Sequence, residues 1–184
     1  MTNDGTNKKA EKRYCYSFLT KKICKCESGV TLEELVTSSE TEIKLAVAKF
    51  EDTPEHILAM LANDTDTNIL MAVANNRSTS PETLEMLAAN PNSHVRECVA
   101  YNPSASEKAM ILLSEDDYWY VRVGVASNTN ISIMLQKRLM KDYDWSVRWA
   151  LAKNVATDKD VLNELKNDPR ESIKEAALRN LGNK

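Results

Sequence analysis

Five alanines, Ala48, Ala74, Ala100, Ala126 and Ala152, stand 26 residues apart without a single gap. Five asparagines keep the same step (Asn76, Asn102, Asn128, Asn154 and Asn180), and so do six leucines (Leu35, Leu61, Leu87, Leu113, Leu139 and Leu165). A fixed period of this kind marks a chain in which one supersecondary unit is stacked on copies of itself. Nothing else in the sequence restricts the fold as tightly.

The stretch 53–76 serves as the type unit. Thr53, Pro54 and Glu55 read as an N-cap, a first-turn proline and an acid that complements the helix dipole. Leu58 and Leu61 then form an apolar i, i+3 pair, so a first helix (A) is expected over about 54–62. Asn63, Asp64, Thr65 and Asp66 form a turn whose side chains can cap the next helix. A second helix (B), over about 67–76, buries Ile69, Ala72 and Val73 on one stripe. Asn76 then closes it at the place where a left-handed residue is wanted. The other copies obey the same pattern: the Ile69 column holds Ile43, Val95, Val121, Val147 and Ile173, and the Ala72 column holds Ala46, Cys98, Gly124, Ala150 and Ala176. Helices this short are unstable alone and need neighbours. The expectation is an all-α solenoid of about six two-helix repeats from Thr31 to Leu181, with some of the shortest helices of 3₁₀ type. It divides the chain into a basic, cysteine-containing segment (1–27) and a repeat domain (28–184).

A hydrophobic content of 42% suffices for a continuous core in 184 residues. No apolar run is long enough to span a membrane, and the first residues lack the apolar core of a secretory signal, which points to the cytoplasm. The net charge of -3 conceals an asymmetry. Residues 1–26 carry seven Lys/Arg against Asp4 and Glu11, so the remainder is strongly acidic. An acidic repeat body argues against a nucleic-acid groove, which needs clustered phosphate-neutralising charge.

The phrases Val95-Arg96-Glu97-Cys98-Val99-Ala100-Tyr101-Asn102-Pro103, Val121-Arg122-Val123-Gly124-Val125-Ala126-Ser127-Asn128 and Val147-Arg148-Trp149-Ala150-Leu151-Ala152-Lys153-Asn154 recur in register. They resemble the core of leucine-rich repeat variant proteins, close kin of HEAT-like α-solenoids, over roughly 31–181. HEAT repeats run to about 40–47 residues, so the shorter period here favours the variant class. The resemblance implies an interaction scaffold. In one type of such protein an N-terminal cysteine-rich segment holds an iron–sulfur cluster, whereas the present chain lacks a complete cluster motif.

Several residues that look like chemistry belong to repeating columns and are expected to be structural. Arg96, Arg122 and Arg148 share one column, and Asp64, Asp116, Asp142 and Asp168 another, as a stacked Asp/Arg ladder would require. Asn102, Asn128 and Asn154 read as helix caps. Cys98 falls among small buried residues and reads as a packed small hydrophobe. Cys15, Cys24 and Cys26 do not repeat. Three thiols fall one short of the four ligands of a structural zinc site or an iron–sulfur cluster, so His56, Cys98 or an outside ligand would have to complete them. The expectation for cofactors is none, with zinc or an iron–sulfur cluster on Cys15, Cys24 and Cys26 as the alternative. His56 and His94, the two histidines of the chain, sit in the first turn of a helix A and in an inter-helix turn, with no catalytic context.

The columns of Thr67, Met71 and Asn75 lie opposite the Ile69/Val73 stripe on helix B and change character along the chain. They become aromatic late: Trp119 with Val123, then Trp145 with Trp149, each an i, i+4 pair, with Tyr101 projecting from the same face. All three tryptophans are thus expected on one surface flanked by Tyr118, Tyr120 and Tyr143, either as an interface hot spot or as a second packing layer. The functional expectation is a non-catalytic scaffold that binds a protein partner through this surface. The alternatives are a metal or iron–sulfur protein, and a HEAT-like nucleic-acid-binding or base-excision protein in which tryptophans stack on a base and an Asp activates water.

Overall fold

The computed structural model describes residues 31–183. The basic segment 1–27, with Cys15, Cys24 and Cys26, lies outside the described residues. The described chain forms twelve helices in six pairs: α1 (Leu32–Val36) and α2 (Thr41–Lys49), α3 (Glu55–Leu61) and α4 (Thr67–Asn75), α5 (Pro81–Ala88) and α6 (Ser93–Tyr101), α7 (Glu107–Leu113) and α8 (Trp119–Ser127), α9 (Ile133–Leu139) and α10 (Trp145–Lys153), α11 (Lys159–Leu165) and α12 (Glu171–Gly182). No strand occurs among the described residues, and none of these helices is long and apolar enough to cross a membrane.

The A helices, of five to eight residues, are α-helical rather than 3₁₀. Side-chain caps favour this in every A helix but α3, because an oxygen that satisfies the first-turn amides lets a full α turn close. Ser80, Ser106 and Ser132 cap α5, α7 and α9 by accepting from the amides of Thr83, Ala109 and Leu135. In the B helices, Asp66 caps α4 and Asp144 caps α10. Thr53 is not the cap it resembles. Pro54 takes the N-cap place of α3 without a side-chain bond. The buried Thr53 hydroxyl instead donates to the Val47 carbonyl at 2.6 Å, tying the loop to the end of α2.

The helices form two layers. Each A helix packs on its own B helix, and each B helix packs on the B helices of the neighbouring repeats, α2 on α4 through to α10 on α12. The leucine column from Leu61 to Leu165 and the alanine column from Ala48 to Ala152 are sealed between repeats. The Ala72 column must stay small because helices touch there. A Cβ on Gly124 would come within 2.7 Å of the Ala100 Cβ and within 3.3 Å of the Tyr101 ring.

The asparagine column joins one repeat to the next. Its backbone is extended, not left-handed: Asn76 has φ -72° and ψ 126°, and Asn102, Asn128 and Asn154 have nearly the same values. The side chain, not a left-handed backbone, performs the capping. The Asn102 Nδ2 group donates to the Ala74 and Asn76 carbonyls at 2.7 and 2.9 Å, both at the end of the preceding B helix. Its Oδ1 accepts from the Ser104 amide. The same pattern recurs from Asn76 to Asn180. Each asparagine therefore satisfies carbonyls that every α-helix leaves open at its C-terminus, and it does so for its neighbour.

Two substitutions test this reading. Asn102→Ala leaves two buried carbonyls without their donor and should destabilise by about 2–4 kcal/mol in denaturant unfolding, at roughly 1–3 kcal/mol per unsatisfied group. Gly124→Ala gains about 1 kcal/mol of helix propensity but overpacks the contact with the Ala100 Cβ at about 1–3 kcal/mol. A net loss is expected, recovered when Ala100→Gly is added; a more stable single variant would contradict the close approach.

Candidate partner-binding surface

The ladder expected from the Arg and Asp columns runs between repeats. The Arg96 guanidinium donates through Nε and Nη2 to both carboxylate oxygens of Asp116, at 2.6 and 3.0 Å. Arg122 grips Asp142 at 2.7 and 2.9 Å, and Arg148 grips Asp168 at 2.7 and 3.4 Å. In each case Nη1 also donates to carbonyls of the arginine's own A–B turn. A weaker version opens the series, with the Lys44 ammonium on Asp64 at 2.9 Å. Between the second and third repeats no ion pair forms the rung, since the buried Leu70 fills the arginine column and Asn90 the aspartate column. The side chains of Arg122 and Asp142 are only 5% and 7% exposed.

These bonds fix the chemistry of the acids. Burial works to raise the Asp116 carboxyl, but the Arg96 guanidinium and the Tyr118 amide outweigh it and hold the group below the usual carboxylate range. Asp168 behaves in the same way, with Arg148 and the Arg170 amide opposing burial. Carboxylates clamped on two oxygens are poorly disposed to activate a water, which weakens the base-excision alternative. Cys98 accepts from the Asn75 amide at 3.2 Å, and burial pushes its thiol up, so it is unsuited to metal or nucleophilic chemistry. His56 bonds Glu33 of the preceding repeat, and His94 stacks on Tyr120. Among the described residues no group of three or more His, Cys, Asp or Glu side chains could hold a metal ion.

The aromatic residues divide into two groups and a margin. In the first group Trp119, the first residue of α8, meets Tyr120 edge-on with ring centres 5.8 Å apart. Tyr120 is fixed: its hydroxyl bonds Ser93 at 2.6 Å and its ring lies between His94 and Tyr118. The second group lies one repeat on, where Arg170 covers the Trp145 ring at 4.8 Å and Lys153 covers the Trp149 ring at 4.3 Å. Trp149 also lines an open groove of about 310 Å³ with Lys153, Val155, Ala176 and Arg179. Tyr118 and Tyr143 stand at the margin, over the ladder guanidiniums of Arg96 (5.9 Å) and Arg122 (4.5 Å). Tyr101 lies against Gly124, and partial burial pushes its phenol up while Ser127 acts in the opposite sense.

Exposure separates the members of the row. Trp119 is 48% exposed, Tyr101 47%, Trp145 41% and Trp149 37%. Val123 and Tyr120, like Leu45 and Met71 in the earlier repeats, pack against the core as a second layer. Among the described residues no ring contact bridges Trp119 and Trp145, which hold equivalent places in successive B helices. Four residues that sequence reasoning did not place here are the cations and the imidazole that frame the rings: Lys153, Arg170, Arg179 and His94. Lys153 was legible, being i, i+4 from Trp149. Arg170 reaches Trp145 from the next repeat, and no local spacing announces it.

No protein-family model and no curated protein matches the chain. Solved structures similar to it include two helical repeat proteins. One is a leucine-rich repeat variant with a novel repetitive structural motif, 24% identical over 83% of this chain and 72% of that one, with a TM-score of 0.37. The other is a designed armadillo repeat protein, 13% identical over 82% of this chain and 97% of that one, with a TM-score of 0.44. The present chain is a helical repeat solenoid. The twelve helices of its described residues and their regular ladders carry that assignment.

The depressed carboxyls predict an acid limit. Groups whose folded pKa lies below the ordinary 3.8 stabilise the fold above that value, and the contribution is lost as pH falls through the folded pKa. The melting temperature should therefore start to fall as pH drops towards 4 and continue below it. Arg96→Met strands a buried carboxylate and should cost about 3–5 kcal/mol near neutral pH. The gap to the wild-type protein should narrow in acid, where Asp116 is protonated; a gap independent of pH would show that the ion pair is not its source.

Proposed function

We propose that this protein is a non-catalytic scaffold that binds a protein partner across its B helices, with Trp119, Trp145, Trp149 and Tyr101 as anchors. The observation that carries the reading is the exposure of these four large rings on the face that the repeat stacking does not use. Aromatic side chains with neighbouring cations are the residue types in which binding energy concentrates. The rings are also held in place before any partner arrives. Trp119 is braced by Tyr120, and Trp145 and Trp149 by the cations above them, which lowers the ordering cost of association. Val123 and Tyr120 support the anchors from below, and Tyr118 belongs to the ladder margin as a rim contact.

The first and second repeats offer a different surface in the same columns. Thr41, Leu45 and Lys49, then Thr67, Met71 and Asn75, stand where the later repeats hold aromatic residues. A partner that needs the aromatic row would therefore sit across the third to fifth repeats. Protein captured from its native host should retain that partner when wild type and lose it in Trp119→Ala combined with Trp149→Ala. The thermal unfolding of the double variant should move by no more than a few degrees, since the removed rings are about half exposed. Retained capture, or collapse of the fold, would return these rings to the packing layer.

A further inference from the structure

The acidic excess of the molecule is confined to one end. Residues 31–66 carry nine Asp and Glu against Lys44 and Lys49, whereas 67–184 carry fifteen of each sign. Residues 1–26 carry seven Lys and Arg against two acids. Charge of one sign in the head thus directly precedes charge of the other sign in the first repeat and the start of the second. Glu40, Glu42, Glu51 and Asp52 are exposed there.

The same end shows incomplete burial. The leucine column is at most 3% exposed from Leu61 to Leu165, but Leu35 of the first repeat is only partly buried. The Ile43 column is at most 1% exposed from Ile69 to Ile173, while Ile43 itself is partly buried. Leu32 stands in the column of Leu58, Leu84 and Leu162, all at 0%, and is likewise partly buried. The asparagine column, whose occupants reach back to the preceding helix in repeats two to six, holds the apolar Phe50 in repeat one. A solenoid end that lacks a polar capping face exposes the inter-repeat surface of its core.

We propose that residues 14–26 of this chain cap that end of the solenoid. That segment carries apolar residues (Tyr14, Tyr16, Phe18, Leu19 and Ile23) to match Leu32, Leu35 and Ile43, and its Lys21, Lys22 and Lys25 are opposite in charge to the carboxylates of the first repeat. The 26-residue register cannot be carried through this segment, which fits a capping unit better than another repeat. Chain length favours the same end. Lys25 lies six residues before Thr31, about 20 Å at full extension, and stacked helices are about 8–10 Å apart. Lys25 therefore reaches no further than roughly the second repeat, well short of the aromatic row. The competing occupant is a second copy stacked end to end, which would also cover Leu178, 56% exposed at the other end of the solenoid. A tethered segment acts at an effective concentration of about millimolar, so it outcompetes a second copy at micromolar protein.

The test uses the full-length chain. In Lys21→Glu with Lys22→Glu and Lys25→Glu, amide hydrogen exchange in α1 and α2 should accelerate about tenfold while α8 and α10 exchange as before, as expected for a local opening. Adding Glu40→Lys, Glu42→Lys and Glu51→Lys to those changes should restore slow exchange in α1 and α2. Carbodiimide treatment of the wild-type protein should join lysines of the head to carboxylates of the first repeat within one chain. Unchanged exchange in the head-reversed protein would overturn the proposal. So would failure of the charge swap to restore it while α8 and α10 stay native, or cross-links that form between chains and grow with concentration.

Discussion

The structure depends on one hydrogen-bonding arrangement, in which an asparagine side chain finishes the helix of the repeat before it. An α-helix ends with carbonyls that have no partner of their own. Here the last carbonyls of one B helix are met by the Nδ2 group of the next asparagine, at 2.7–3.0 Å along the whole series. The helix end and the repeat interface are thus the same object. A repeat cannot slide against its neighbour without exposing buried polar groups, so the spacing between layers is uniform. That uniformity allows the alanine column to be sealed and Gly124 to sit against Ala100.

The arginine rungs act at the other end of the B helices, at the A–B turns, and have a different character. Each guanidinium is bonded to its own turn and to the carboxylate of the next repeat, so it fixes the angle between two A–B turns. Buried pairs of this kind cost much to desolvate and much to break, so their role is to select one arrangement more than to add net stability. Leu70 and Asn90 show that a rung can lose its ion pair without interrupting the stack, since α4 still packs on α6. Tyr118 and Tyr143 cover two of the guanidiniums and link the ladder to the aromatic row.

With ladders and core assigned, the residues free to vary are those of the exposed B-helix face. There the early repeats carry small, polar or flexible side chains and the later ones carry rings. Side chains on this face can change without a change in the fold wherever they stay clear of the core, as Leu45, Met71, Tyr120 and Val123 do not. The frame fixes where a side chain stands, and the free columns decide what it can touch.

The repeat number, the pairing of helices, the core columns and the identity of the ladder residues were legible in the sequence, because each follows from a period counted along the chain. The small size of the Ala72 column was legible for the same reason. Other features needed the tertiary structure. Asn76 looked like a left-handed helix end, and its bonds proved to lie 26 and 28 residues back. Thr53 looked like a cap and instead ties its loop to Val47, because a buried hydroxyl takes the nearest open carbonyl. Arg122 is six residues past Asp116 and twenty before Asp142, and only stacking decides that the carboxylate it grips is the later one. The division of the aromatic row into exposed rings and core-packed ones was likewise decided in three dimensions. Periodicity assigns a residue to a face, whereas exposure depends on which neighbour the next repeat brings to it.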